Sequence, residues 1–325
     1  MNFKIFFDIF KKSAKFFFTL FYLDERHNKR GTTLTSTLSS HQSKEAINTI
    51  TKTYSPNKLF NIFEQRLFEI FEKEMKSSES IILKVNREAI SKMAMFLSGS
   101  IKRSASVGIS GETASGKSTV ALDIIDTVQA FSTEFEIDDA ITRINTDDYY
   151  YDRSEMVKKA GSFANFAKHY DLDVPQALEL ELMKKHIVEL VSGKSVMLPK
   201  YDMSGTAIRY DNHTLANPSK IIISEGLFTL TEKVRDAFDF KIYVHVTKDV
   251  QKERFFVRAN ERGLGDSANG IFENASSKAQ IHIRPCYDIA DIVLSGEASR
   301  DKYKAFLNRI LALVQEYRLD SVEVA

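Results

Sequence analysis

Residues 106–120 read SVGISGETASGKSTV. Gly111 to Ser118 inside them fit G-x-x-x-x-G-K-[ST], the phosphate-binding loop. Val107 and Ile109 alternate as in a short strand, and residues 117–128 continue without a helix breaker. Strand, glycine-rich loop and helix N-terminus, in that order, make an anion site. The glycines let the backbone curl so that successive amide N–H groups aim inward at phosphate oxygens. The helix N-terminus adds unpaired donors and a partial positive charge. Gly111, Glu112, Thr113, Ala114, Ser115, Gly116, Lys117, Ser118 and Thr119 are therefore expected to hold phosphates. Lys117 would reach the outer phosphates, and the Ser118 hydroxyl would ligate magnesium.

Downstream, apolar strand-like runs alternate with helical patterns. Strands are expected at 107–110, 140–145, 195–198, 220–224, 240–246 and 290–294, and helices at 117–130, 175–191, 250–262 and 300–317. This alternation predicts an α/β fold with a mostly parallel sheet and helices on both faces. Ligands of such sheets sit at the carboxyl ends of the strands.

Three places there carry chemistry. Residues 145–151 read NTDDYYY, where a carboxylate could take a proton from an acceptor hydroxyl or hold a magnesium-bound water. Residues 221–226 read IIISEG, an apolar strand ending in an acid and a glycine, as in a Walker-B element. Glu225 is its candidate magnesium ligand, and Ser224 stands where that element usually has Asp. Arg254, Arg258 and Arg262 recur every four residues and share one helix face, a spacing suited to clamping phosphates with guanidinium groups. No Asn-Lys-x-Asp follows the loop, which argues against a GTP switch.

Upstream, Phe3, Phe7, Phe10, Ala14, Phe17 and Phe21 fall on one helical face, with lysines mostly opposite. Residues 1–23 are expected to be an amphipathic basic helix that packs, lies on a membrane surface or targets an organelle. Their apolar run is far shorter than the ~20 residues a spanning helix needs. Residues 24–55 are polar, as in a linker. Residues 56–101 are expected to be a helical extension, with Phe60, Phe63, Leu67, Phe71 and Met75 on one stripe and Ile90, Met93, Ala94 and Leu97 on another. The domain proper would then be residues 102–325. A net charge of +1 gives no sign of a nucleic-acid partner, and the single Cys286 excludes an intrachain disulfide and any multi-cysteine zinc site. A cytoplasmic location fits that cysteine usage. Peripheral membrane contact through residues 1–23 and self-association into a homo-oligomer stay open as partner classes.

The phosphate loop, the DDYY turn at 147–150, LDVPQAL at 172–178, PKYD at 199–202, SEG at 224–226 and the arginine helix occur in the order seen in uridine/cytidine kinases. From about residue 101 to 317 the chain resembles that family, part of the phosphoribulokinase/uridine kinase group of P-loop kinases. The resemblance implies transfer of the ATP γ-phosphate, with magnesium, to a small-molecule hydroxyl, in uridine kinases the ribose 5′-hydroxyl. It implies Asp147 as the base and a metal contact, Ser118 and Glu225 as magnesium ligands, and Lys117, Arg254 and Arg258 as the charges on the transferring phosphate. Tyr150, Asp173, Tyr201 and Arg262 would bind the acceptor. The stretch from IRP at 283–285 to Leu294 would lead into the last strand near the adenine. The family carries an aromatic, a His and then an Arg after its Tyr-Asp pair; here Met203 and Thr206 stand at the first two positions and Arg209 comes one residue late. Those positions help recognise the pyrimidine, so ribulose phosphate, pantothenate or another nucleoside are rival acceptors. A nucleotide-binding regulatory module without turnover is the rival from another class.

Overall fold

The structure is a computed structural model that describes residues 56–134 and 140–324. The expected helix at 1–23 and linker at 24–55 lie outside them. Helix α1 (Pro56–Met75), strand β1 (Ile82–Val85) and helix α2 (Arg87–Leu97) come first. Then follow β2 (Ala105–Ser110), α3 (Lys117–Glu134), β3 (Ile141–Asn145), a 3-10 turn (Thr146–Tyr149), α4 (Ser154–Ala160) and α5 (Phe163–Ala167). After a second 3-10 turn (Pro175–Ala177) come α6 (Leu180–Val191), β4 (Val196–Tyr201), β5 (Arg209–Ala216) and β6 (Ile221–Glu225). The chain ends with β7 (Phe240–His245), α7 (Lys248–Glu261), α8 (Ser267–His282), α9 (Cys286–Ile289), β8 (Ile292–Ser295) and α10 (Arg300–Val324).

The main sheet has six strands in the order β1-β8-β7-β2-β6-β3. All its pairings are parallel except that of β1 with β8. Strand alternation divides the core between two faces. Ile222, Tyr243 and Val293 point to the layer of α6, with Leu180, Met183 and Ile187. Their neighbours Ile223, Val244 and Leu294 point to the layer of α1, α3 and α10. The expected doubly covered, mostly parallel sheet is what forms, since its strands carry apolar residues toward both layers.

Four local expectations change. Residues 195–198 belong to β4, which pairs with β5 in a separate two-stranded hairpin and not with the parallel sheet. The helix expected over 175–191 is broken after Ala177: Leu178 bridges Tyr150, and the Glu179 N–H donates to the Tyr149 carbonyl at 2.8 Å, so these residues serve the neighbouring turn. Helix α8 was not expected, since SANGIFENASSKAQIH buries only Ala268, Phe272 and Ala279. Residues 56–101 are not only helical: β1 extends the sheet, and Phe63, Leu67, Phe71, Ile82 and Ile90 share one core with Ile109 and Ile223. This stretch therefore has no core separate from that of residues 102–324. On α1 the inward stripe ends at Glu74, which pairs with Arg309 at 2.5 Å, while Met75 turns outward. None of the described helices is long and apolar enough to cross a membrane.

Candidate active site

Strands β2, β3 and β6 are adjacent, so the stretches after Ser110, Asn145 and Glu225 converge at one end of the sheet. The loop after β2 turns through two residues in the left-handed region, Ala114 at φ 60° and Gly116 at φ 89°, before Lys117 opens α3. Gly296, after β8, closes over this loop. A Cβ on it would land on the Ser115 carbonyl oxygen, so only glycine permits the approach. Arg254 Nη1 holds the same residue by donating to the Gly296 carbonyl at 2.8 Å.

Lys117, Ser118, Arg254, Arg258, Gly296 and Tyr303 line a cleft of about 750 Å³, within the ordinary range for small-ligand sites. Burial lowers the Lys117 pKa; Asp147 and Glu225 oppose that, and Arg258 reinforces it. Burial also lowers the Arg258 pKa, with repulsion from Arg262 and Arg254 added. The cleft thus concentrates positive charge whose desolvation an anion would relieve. Arg262 caps the end of α7, is exposed and does not line this cleft.

Ser118 Oγ donates to Glu225 Oε2 at 3.0 Å, and Arg143 Nη2 bonds Glu225 Oε1 at 2.7 Å. Glu225 is buried at the end of β6. A hydroxyl and a carboxylate side by side suit magnesium, which keeps several waters and takes few protein ligands.

Asp147 and Asp148 part company here. Burial raises the Asp147 pKa, Lys117 opposes the rise, and Glu225 and Asp148 add to it. Asp147 is therefore the carboxylate that shares the buried field of Lys117 and Glu225. Asp148 faces the β4–β5 hairpin, accepting from the Tyr201 N–H at 3.2 Å and pairing with Lys200 at 3.1 Å. An extended chain would split consecutive side chains to opposite sides. The backbone over Thr146–Tyr149 is instead a 3-10 turn, capped by Asn145 Oδ1 on the Asp147 N–H. Successive side chains there diverge by about a third of a turn.

Among the residues expected to bind the acceptor, Tyr150 is buried, donates to the Leu172 carbonyl at 3.2 Å and packs 5.3 Å from the Tyr201 ring. Burial pushes the Tyr201 phenol up to about 12, and its buried Oη has no hydrogen-bond partner. Burial and Asp171 raise the Asp173 pKa, while Lys278 and a hydrogen bond with Asn274 oppose them. Lys278 also pairs with Asp171 at 2.5 Å, so α8 touches the loop that carries Asp173. At the positions where the family's base-recognition residues would fall, Met203 is 68% exposed and Thr206 donates to Asp202. Arg209 pairs with Glu179 and Asp211 at 2.8 and 2.7 Å.

Sequence reading passed over Arg143, Gln251 and Gly296, and took in Arg284 only as part of the stretch leading into the last strand. Arg143 had a local signal: it lies two residues before Asn145, and β3 pairs Asn145 with Glu225. The others reach the loop only through tertiary contacts.

The sequence matches known proteins over the stretch that holds these residues. The profile of the Phosphoribulokinase / Uridine kinase family matches residues 106–301. A protein named uridine kinase from Halobacterium salinarum is 32% identical over 196 residues, 58% of this chain and 78% of its own length. Another, from Clostridium tetani, is 35% identical over 197 residues, 59% of this chain and 87% of its own length. A solved structure titled a possible uridine kinase from Bacillus stearothermophilus shares 18% identity over 61% of this chain and 95% of its own, with a TM-score of 0.38. With its family-wide match running from the strand before the phosphate loop to the start of the last helix, this chain belongs to the phosphoribulokinase/uridine kinase family and is a small-molecule kinase.

Proposed function

We propose that the chain uses ATP and magnesium to phosphorylate a hydroxyl of a small molecule, and that this hydroxyl is the 5′-hydroxyl of a nucleoside. The observation that carries the reading is the placement of Asp147 in the buried field of Lys117 and Glu225, with Asp148 tied to the hairpin. Gly111–Thr119 wrap the triphosphate with backbone amides. Lys117, Arg254 and Arg258 neutralise charge on the transferring group, which is most of what phosphoryl transfer asks of a protein. Asp147 takes the acceptor proton, and its raised pKa moves it toward the range in which a base works best near neutral pH. Magnesium, held by Ser118 and Glu225, supplies further charge neutralisation when bound. Asp173 and the unpartnered Tyr201 Oη offer polar contacts to acceptor hydroxyls.

A second acceptor class has its own support. Thr206 and Arg209 are engaged with Asp202, Glu179 and Asp211, and Met203 faces solvent. This favours an acceptor without a pyrimidine, such as a sugar phosphate or pantothenate. A product assay with ATP and magnesium over nucleosides, sugar phosphates and pantothenate decides between them. Phosphorylation of uridine or cytidine above all others supports the first reading, and product from a non-nucleoside alone replaces it. No product from any acceptor, by a chain that binds ATP, would leave a regulatory module.

A further inference from the structure

Glu112 follows Gly111 in the phosphate loop and carries the same sign of charge as the phosphates that loop receives. In a part-buried site, with an effective dielectric constant of about 20, such repulsion is several times stronger than in water. The side chain does not line the cleft of Lys117 and Ser118. It lines a second cavity, of about 550 Å³, with Tyr243, His245, Gln251 and Arg284. Arg284 Nε donates to Glu112 Oε1 at 3.0 Å and Arg284 Nη2 to Oε2 at 3.2 Å, a fork on both oxygens. Gln251 Nε2 donates to Oε2 at 3.3 Å and to the Thr113 carbonyl at 3.0 Å. Gln251 is buried on α7, the helix that also carries Arg254 and Arg258. Arg284 Nη2 further donates to Ser276 Oγ on α8 at 3.1 Å.

We propose that Arg284 is a positioning residue for the phosphate loop, neutralising Glu112 and keeping its carboxylate in the second cavity, away from the triphosphate. The inference rests on reading Gly111–Thr119 as the nucleotide site. Gln251 fixes the carboxylate and the loop carbonyl in place but brings no charge, so neutralisation falls to Arg284. A glutamine at position 112 would need no cation. The two residues should therefore be coupled in nucleotide affinity, and the coupling should weaken with salt.

The test is the affinity of the full chain for a non-hydrolysable ATP analogue with magnesium, by titration calorimetry at low and moderate salt, with Tm measured alongside. Arg284→Ala is expected to weaken binding by about tenfold at low salt, and by less as salt rises. Arg284→Ala combined with Glu112→Gln is expected to return to within about threefold of wild type. Should Arg284→Ala fail to fold, Arg284→Gln takes its place, since it keeps a hydrogen bond and loses the charge. Unchanged binding in the single variant, or a double variant as weak as the single one, overturns the proposal. Rescue without salt dependence overturns it too, since packing rather than charge would then couple the residues. A wild-type chain that binds no ATP analogue refutes the nucleotide-site reading and this inference with it; a wild type that binds, beside an unrescued double variant, refutes this inference alone.

Discussion

Asp147→Asn and Asp148→Asn form a matched pair of perturbations, because each keeps side-chain volume and removes one charge. At position 147 the lost group is the proposed base. A positioned base contributes about 10²–10⁴-fold in rate, or about 2.7–5.5 kcal/mol of barrier. At position 148 the structure sets a small cost. An asparagine Oδ1 can still accept from the Tyr201 N–H, now 3.2 Å away. What is lost is an ion pair with Lys200, whose side chain is 51% exposed. Pairs with an exposed partner contribute about 0.2–1 kcal/mol to stability; even about 1 kcal/mol carried wholly into the barrier would change kcat by only about fivefold. The assay is steady-state phosphorylation of the preferred acceptor at saturating ATP, with kcat and the KM for ATP determined separately. Asp147→Asn should lower kcat by at least about a hundredfold with little change in the KM for ATP. A larger kcat loss in Asp148→Asn, or near wild-type turnover in Asp147→Asn, would refute the assignment and the electrostatic reasoning behind it.

Lys117→Ala removes the buried ammonium beside Asp147 and Glu225; kcat should fall by about 10²–10³-fold in a folded protein, and near wild-type turnover would sink the assignment of the loop. Gly296→Ala puts a methyl group where the Ser115 carbonyl oxygen lies. It should cost about 1–3 kcal/mol of stability by overpacking and weaken ATP-analogue binding, and an unaltered melting curve with unaltered affinity would contradict this. Asp239 tests the fold away from the site. Burial alone would raise its pKa, but hydrogen bonds from Arg103 and Ser106 outweigh that and hold it below the ordinary value. Its stabilisation is present above the unfolded value of about 3.9 and is lost as pH falls through the lower folded value. Asp239→Asn should flatten the acid limb of a plot of Tm against pH, and an acid limb identical to wild type would refute the role.

The sequence by itself determined the proposed phosphate site, because its chemistry is local. A strand, a loop with glycines at the needed places and a helix N-terminus are contiguous from Ala105 to Thr119, and in that reading backbone amides would do the binding. Short apolar runs likewise marked the buried parallel strands, and the spacing of Arg254 and Arg258 determined their shared face. The resemblance proposes Asp147 over Asp148; what the structure adds is that the two part company, through a 3-10 turn and a hairpin 52 and 53 residues away that claims Asp148. Only the tertiary structure brought Arg284 to Glu112, 172 residues apart, and Gln251 to Thr113, 138 apart. Only it seated β1 antiparallel beside β8, so that a stretch legible as helices also completes the sheet edge. Periodicity records which face of an element is buried, and carries no information about which distant element buries it. That partner is set by strand order and by the packing of both layers together, and so Arg262, on the same helical stripe as Arg254 and Arg258, ends at the exposed cap of α7 outside the cleft.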